Sequence, residues 1–149
     1  MGVKIVDNTA FLVISKASFN VPEGIRRGLH DVGPELKREV KRLIKSTPKT
    51  GRIYNIGGKR HQASAPGEAP ANLSGDLVRS LSFNVSSATR LIIGERRKIA
   101  PYAAYLEEGS PQGRIKPRPH LRPAVISKAR EIEQSIQRGI SRELGKVHR

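Results

Sequence analysis

The chain has 149 residues, 28 of them Lys or Arg against 13 Asp or Glu, a formal net charge of +15; 36% are hydrophobic and 4% aromatic. That length suits one domain spanning 1–149, with a lean core drawn from Leu, Ile, Val and Ala. With no cysteine, disulfides and thiolate metal ligands are excluded; no apolar run reaches the roughly 18 residues of a membrane span, and no signal peptide or membrane contact is expected.

Residues 3–19 alternate loosely through Val3, Ile5, Phe11, Val13 and Ile14 around the turn signal Asp7-Asn8, which predicts a hairpin, or one strand with an arm, over 1–20. From Pro22 onward Ile25, Leu29, Val32, Leu36, Val40, Leu43 and Ile44 recur at three and four, the stripe of an amphipathic helix over 22–46. Gly33-Pro34 inside it predicts a kink or a break. Residues 47–72 carry repeated Gly and Pro without clear periodicity and read as an extended, projecting loop, with room for a short hairpin arm around Tyr54 and Ile56.

Ser74 is placed to cap a short helix carrying Leu77, Val78 and Leu81. Strands over 82–86 and 90–94 follow, joined by a turn at Ser87-Ala88-Thr89. Pro101 opens another short helix, which Gly109 closes, and 110–119 is a second Pro- and Gly-punctuated loop. Leu121, Val125, Ala129, Ile132, Ile136, Ile140 and Leu144 predict one long C-terminal helix over 120–146. The fold class expected is α+β: a small antiparallel sheet packed against two long amphipathic helices, with an extended Gly/Pro-rich loop.

The usual constellations of catalysis are missing, and neither an enzyme nor a cofactor is expected. His30, His61, His120 and His148 are too scattered to hold a metal and read as surface or loop histidines. Gly57-Gly58-Lys59-Arg60 lacks both the leading glycine and the Ser or Thr of a phosphate loop. Glu107 and Glu108 are neighbours on a helix, point apart, and read as a solvated helix end. No serine has a nucleophile-elbow context. The positive charge is spread in short groups, which points to a folded basic surface; nucleic acid, an anionic membrane or an acidic protein could want such charge. Aromatic stacking platforms do not interleave with it.

Three stretches are familiar in combination. Ser46-Thr47-Pro48-Lys49-Thr50-Gly51 follows the basic helix. A small-residue run, Ala63-Ser64-Ala65-Pro66-Gly67, leads through Glu68, Pro70 and Asn72 to Ser74-Gly75-Asp76-Leu77-Val78-Arg79-Ser80-Leu81. The third is Tyr102-Ala103-Ala104-Tyr105-Leu106-Glu107-Glu108-Gly109-Ser110, followed by Arg118-Pro119-His120-Leu121-Arg122-Pro123-Ala124. Over roughly 22–145 the chain resembles the tail-completion or neck proteins of long-tailed bacteriophages, the family typified by gene product ten of the Hong Kong lambdoid phages.

The resemblance implies an α+β subunit without catalysis or cofactor. It implies a homo-oligomeric ring, sixfold by expectation, between the head-closure complex and the tail-terminator or tail-tube proteins of the virion, made in the host cytoplasm. The genome would pass through the ring, with direct DNA contact allowed. Lys59, Arg60, Arg114, Lys116, Arg118 and Arg122 are the candidate partner contacts. The alternative reading is a basic nucleic-acid-binding module.

Overall fold

The structure, a computed structural model, describes residues 2–6, 9–15 and 22–147. It is α+β, with two small antiparallel sheets and five helices, two of them long. Strands β1 (Gly2–Val6) and β2 (Thr9–Ser15) pair as a hairpin, Val6 opposite Thr9. The predicted Asp7-Asn8 turn and the rest of the arm, 16–20, lie outside the described residues. Later in the chain β5 (Leu81–Ser87) and β6 (Arg90–Glu95) form a second hairpin. Leu12 sits opposite Ile93 and Ile93 opposite Phe83, so the sheet order is β1-β2-β6-β5.

Helix α1 (Pro22–Ser46) packs across β5 and β6. Its stripe of Ile25, Leu29, Val32, Leu36, Val40 and Ile44 is at most 1% exposed, and burying each such side chain is worth about 1.5–3 kcal/mol relative to leaving it in water. Pro22 at the first position and Glu23 in the first turn suit the helix start. At the other end Thr47 Oγ1 and Lys49 Nζ donate to the Leu43 carbonyl, at 2.5 and 3.1 Å. Of the kink or break expected at Gly33-Pro34, the break does not occur, since α1 runs on to Ser46. Pro34 and His30 both lie on the exposed side, where water can satisfy the carbonyl that the proline leaves without a donor. Gly33 is buried against the Phe83 ring, which would lie 2.3 Å from an added Cβ.

The predicted C-terminal helix is two helices, α4 (Leu121–Ser127) and α5 (Ala129–Val147). The interruption is one residue, Lys128, at φ −104° and ψ 11°. Ser127 Oγ donates to the Ala124 carbonyl at 2.9 Å, a back-bond that shares this carbonyl with the Lys128 N–H, at 3.1 Å.

Helix α5 lies against α1 in backbone contact. A Cβ on Gly139 would stand 2.1 Å from the Gly24 carbonyl oxygen, and one on Gly28 would stand 2.5 Å from Ile136 Cα. Ser135 Oγ closes the seam by donating to the Gly28 carbonyl at 2.9 Å. Ion pairs Arg27–Glu143 (2.8 Å) and Arg142–Asp31 (3.1 Å) join the same two helices nearer the surface, where such pairs add little.

Within 47–72 the structure forms the short hairpin for which the sequence left room. Strands β3 (Ile53–Ile56) and β4 (Lys59–Gln62) form a second, two-stranded sheet. Their turn residues Gly57 and Gly58 have φ of +56° and +75°, the left-handed pair that a two-residue hairpin turn requires. The flanks are tied down. Glu68 accepts from the Thr50 and Ala65 backbone N–H groups, at 3.0 and 2.9 Å, and Gly67 N–H donates to the Pro117 carbonyl at 2.8 Å.

Gly139→Ala should lower unfolding stability by about 1–3 kcal/mol, because the seam must open to admit a methyl. Gln137→Ala on the exposed side of the same helix should leave stability nearly unchanged. Urea unfolding of the two variants measures the difference.

Candidate functional site

Along β6 the inward-facing positions are Leu91, Ile93 and Glu95, all 0% exposed. The alternation that buries two apolar residues thus carries an acid into the core. Helix α3 (Ala103–Glu108) turns Ala103, Ala104 and Glu107 inward by the same logic at helical spacing. Its C-cap Gly109 has φ +84°, and the chain loops back so that Arg118 N–H donates to the Leu106 carbonyl at 2.6 Å. That return sets His120, fully buried, between the two acids.

His120 Nε2 is 2.8 Å from Glu95 Oε1, and Nδ1 is 3.1 Å from Glu107 Oε2. Glu107 also receives the backbone N–H groups of His120, Leu121 and Arg122, at 2.8, 3.0 and 3.0 Å. The first turn of α4 opens with donors that no helical carbonyl can satisfy. Glu107 takes three of them, and Pro123 has no N–H to offer. One carboxylate from α3 therefore caps α4 across 13 to 15 residues of chain.

Burial alone would push the Glu107 carboxyl up; the hydrogen bond and charge of His120, with the backbone donors, outweigh it and hold the group at about 2. Burial would likewise push His120 down, but the two carboxylates raise it to about 10. The expectations of a solvated Glu107 and a surface His120 are thus both corrected. Glu95 Oε2 is buried without a hydrogen-bond partner. The three groups are at most 3% exposed, so they hold the chain and are closed to a substrate. His30 is exposed and His61 half-buried, His148 lies outside the described residues, and no metal-ligand cluster occurs among the described residues.

Above this network lies a groove of about 440 Å³. Its walls come from segments distant in sequence, including Ser64, Pro70, Leu73, Leu77, Tyr102, Leu106 and Arg118. Arg118 stitches them together: Nε donates to the Ser64 carbonyl and Nη1 to that of Lys116, both at 3.1 Å. Leu73 and Tyr102 remain 59% and 40% exposed.

The candidate contact residues are distributed over three places. Lys59 and Arg60 lie exposed on β4, beside Ile53, Tyr54 and Ile56, which are 42–46% exposed. Arg114 and Lys116 are exposed on the loop between α3 and α4. Arg118 is half-buried and committed to backbone carbonyls, while Arg122 is exposed and pairs with Glu108 at 3.3 Å. The loop thus brings Arg114 and Lys116 to the surface together and turns Arg118 inward. No helix among the described residues is long and apolar enough to cross a membrane. Compared with known families, with curated proteins and with solved structures, the chain matches none of them.

The buried network has a pH signature. His120, raised from 6.5 to about 10, contributes stability that is complete below pH 6.5 and lost as pH rises through 10. Glu107, lowered from 4.5 to about 2, contributes stability that is complete above pH 4.5 and lost as pH falls through 2. Both contributions are whole between pH 4.5 and 6.5. The Tm difference between the native protein and His120→Gln should therefore be largest in that window and shrink toward pH 10; an equal difference at pH 6 and pH 10 would refute the imidazolium. Glu107→Ala should cost about 3–5 kcal/mol by stranding a buried cation, which chemical denaturation would measure.

Proposed function

We propose that this chain is a structural virion protein of the head–tail junction of a long-tailed bacteriophage, a neck or tail-completion subunit. It would form a homo-oligomeric ring, sixfold by expectation, that joins the head-closure complex to the tail-terminator or tail-tube proteins and surrounds the path of the genome. The observation that carries the reading is the meeting of two of the three resembling stretches in one place. The 63–77 stretch and 102–109 wall the groove, and 118–124 supplies Arg118 across it and the Glu107-capped helix start beneath. Stretches that resemble one family in their order along the chain, and that also meet in space, are what a common subunit architecture would require.

The surfaces suit assembly. Ile53, Tyr54 and Ile56 are exposed on a two-stranded hairpin, an element that is marginal by itself in water and gains cover from a neighbour. In such a ring each subunit contact would bury at least ~1,000 Å². Arg114 and Lys116 would meet acidic surfaces of an adjoining ring, where charge sets encounter rate and register more than final affinity. The second reading, a basic nucleic-acid-binding module, is favoured by the net charge of +15 through counterion release.

The test is assembly. Particles lacking the protein should accumulate as filled heads and separate tails in electron micrographs, and adding purified protein should join them; joining at the normal rate without it would exclude the neck reading. Replacing 53–62 by a short glycine linker should leave Tm within a few degrees and abolish joining, because Gly51 and Ala63 already pair below the hairpin at 3.0 Å. Arg114→Glu with Lys116→Glu should slow joining and reduce its salt sensitivity, with thermal unfolding little changed.

A further inference from the structure

A group of cations without a carboxylate partner among the described residues lies away from the candidate contacts, where α1 packs on β6. Lys37 and Lys41 stand one turn apart on α1, about 6 Å along its axis at ~1.5 Å per residue. Arg96, Arg97 and Lys98 follow directly after β6. The turn is held in place: Arg96 N–H donates to the Ser80 carbonyl at 2.9 Å, Ile99 and Ala100 donate back to the Arg96 carbonyl at 2.9 and 3.0 Å, and Arg96 Nη2 donates to the Arg79 carbonyl at 3.2 Å.

Among the described residues, none of these five cations has a carboxylate partner, although Arg26, Arg27, Arg42, Arg79, Arg122, Lys128 and Arg142 all do. Lys37 is half-buried, and burial together with the Lys41 and Arg96 charges pushes its ammonium down. Two elements therefore hold like charges close enough to repel each other, a cost that a bound polyanion would remove.

We propose that Lys37, Lys41, Arg96, Arg97 and Lys98 form a docking surface for the phosphate backbone of duplex nucleic acid. The choice of a phosphate backbone over an acidic protein rests on what the patch lacks. Among the described residues whose burial is assigned, the large exposed hydrophobic ones, such as Ile53, Leu73 and Ile126, all lie outside 37–41 and 96–98. A protein partner normally needs an apolar centre ringed by polar groups, whereas backbone contacts to nucleic acid need cations at fixed spacing. The turn's hydrogen bonds fix the backbone that carries three of the five, which lowers the ordering cost of binding. This inference stands on the charge geometry and does not depend on the neck reading.

The experiment is fluorescence anisotropy of a short labelled DNA duplex with the whole protein across a salt series. Lys37→Gln with Lys41→Gln should weaken low-salt binding about tenfold and reduce the slope of log affinity against log salt by about 1.8, two contacts at ~0.9 each. The control removes the same charge elsewhere: Arg90→Gln at the far end of β6 with Arg138→Gln on α5 should weaken binding less than about threefold. Thermal unfolding should be unchanged or slightly raised in the lysine pair, because repulsion is relieved; if that pair folds poorly, Arg97→Gln with Lys98→Gln in the exposed turn takes its place. Equal losses in the test and control pairs would mean diffuse attraction only and overturn the site. So would a native protein that does not bind the duplex at low salt, or one that through these residues prefers polyglutamate or anionic vesicles to DNA. Head–tail joining, measured separately, is unaffected by any of these outcomes as a test of the neck reading.

Discussion

The Glu107 carboxylate is the constraint on which the C-terminal half of the molecule depends. It leaves α3 facing the core, receives the backbone N–H groups of residues 120–122, and holds the His120 ring against Glu95 on the central strand. A single ionised group thereby fixes three things: the end of β6, the return of the chain after Gly109, and the start of α4. Charged hydrogen bonds of this kind are strong because water does not compete for the donors. The arrangement is also intolerant, since any one member removed leaves the others buried and unsatisfied.

From that anchor the second half of the architecture follows. Helix α4 leads into α5, and α5 lies along α1 through a seam of Gly24, Gly28 and Gly139 in which backbone meets backbone. α1 in turn presents its apolar stripe to β5 and β6. Two kinds of complementarity thus meet on α1: side chains packed on the sheet side, and bare backbone on the α5 side. The one-residue interruption at Lys128, beside the Ser127 back-bond, stands between the capped entry of α4 and the glycine seam of α5.

The charge balance of +15 has more than one origin. Several arginines are engaged within the chain: Arg118 binds backbone carbonyls, and Arg27 and Arg142 link α1 to α5. Others have no carboxylate partner among the described residues, either in the loop at Arg114 and Lys116 or on α1 and in the turn that follows β6. Net charge by itself treats these as equivalent. Position separates cations held within the fold from those left without a carboxylate among the described residues.

The sequence by itself determined the elements whose signals are local. The stripe from Ile25 to Ile44, the β5–β6 hairpin, the Gly109 stop of α3 and the hairpin around Tyr54 were all legible, because periodicity and turn chemistry act over a few residues. The same periodicities also pointed Glu95 inward after Leu91 and Ile93, and Glu107 inward after Ala103 and Ala104. An acid at such a position looks solvated until its partner is known, however, and His120 is 13 residues from one acid and 25 from the other. Only the tertiary structure brought the three together. It also kept α1 unbroken at Pro34, by placing the orphaned carbonyl on the solvent side, and divided the C-terminal helix at Lys128. Pairing across long loops and helix contact through missing side chains leave no periodic trace in a chain; they exist only once distant segments have met.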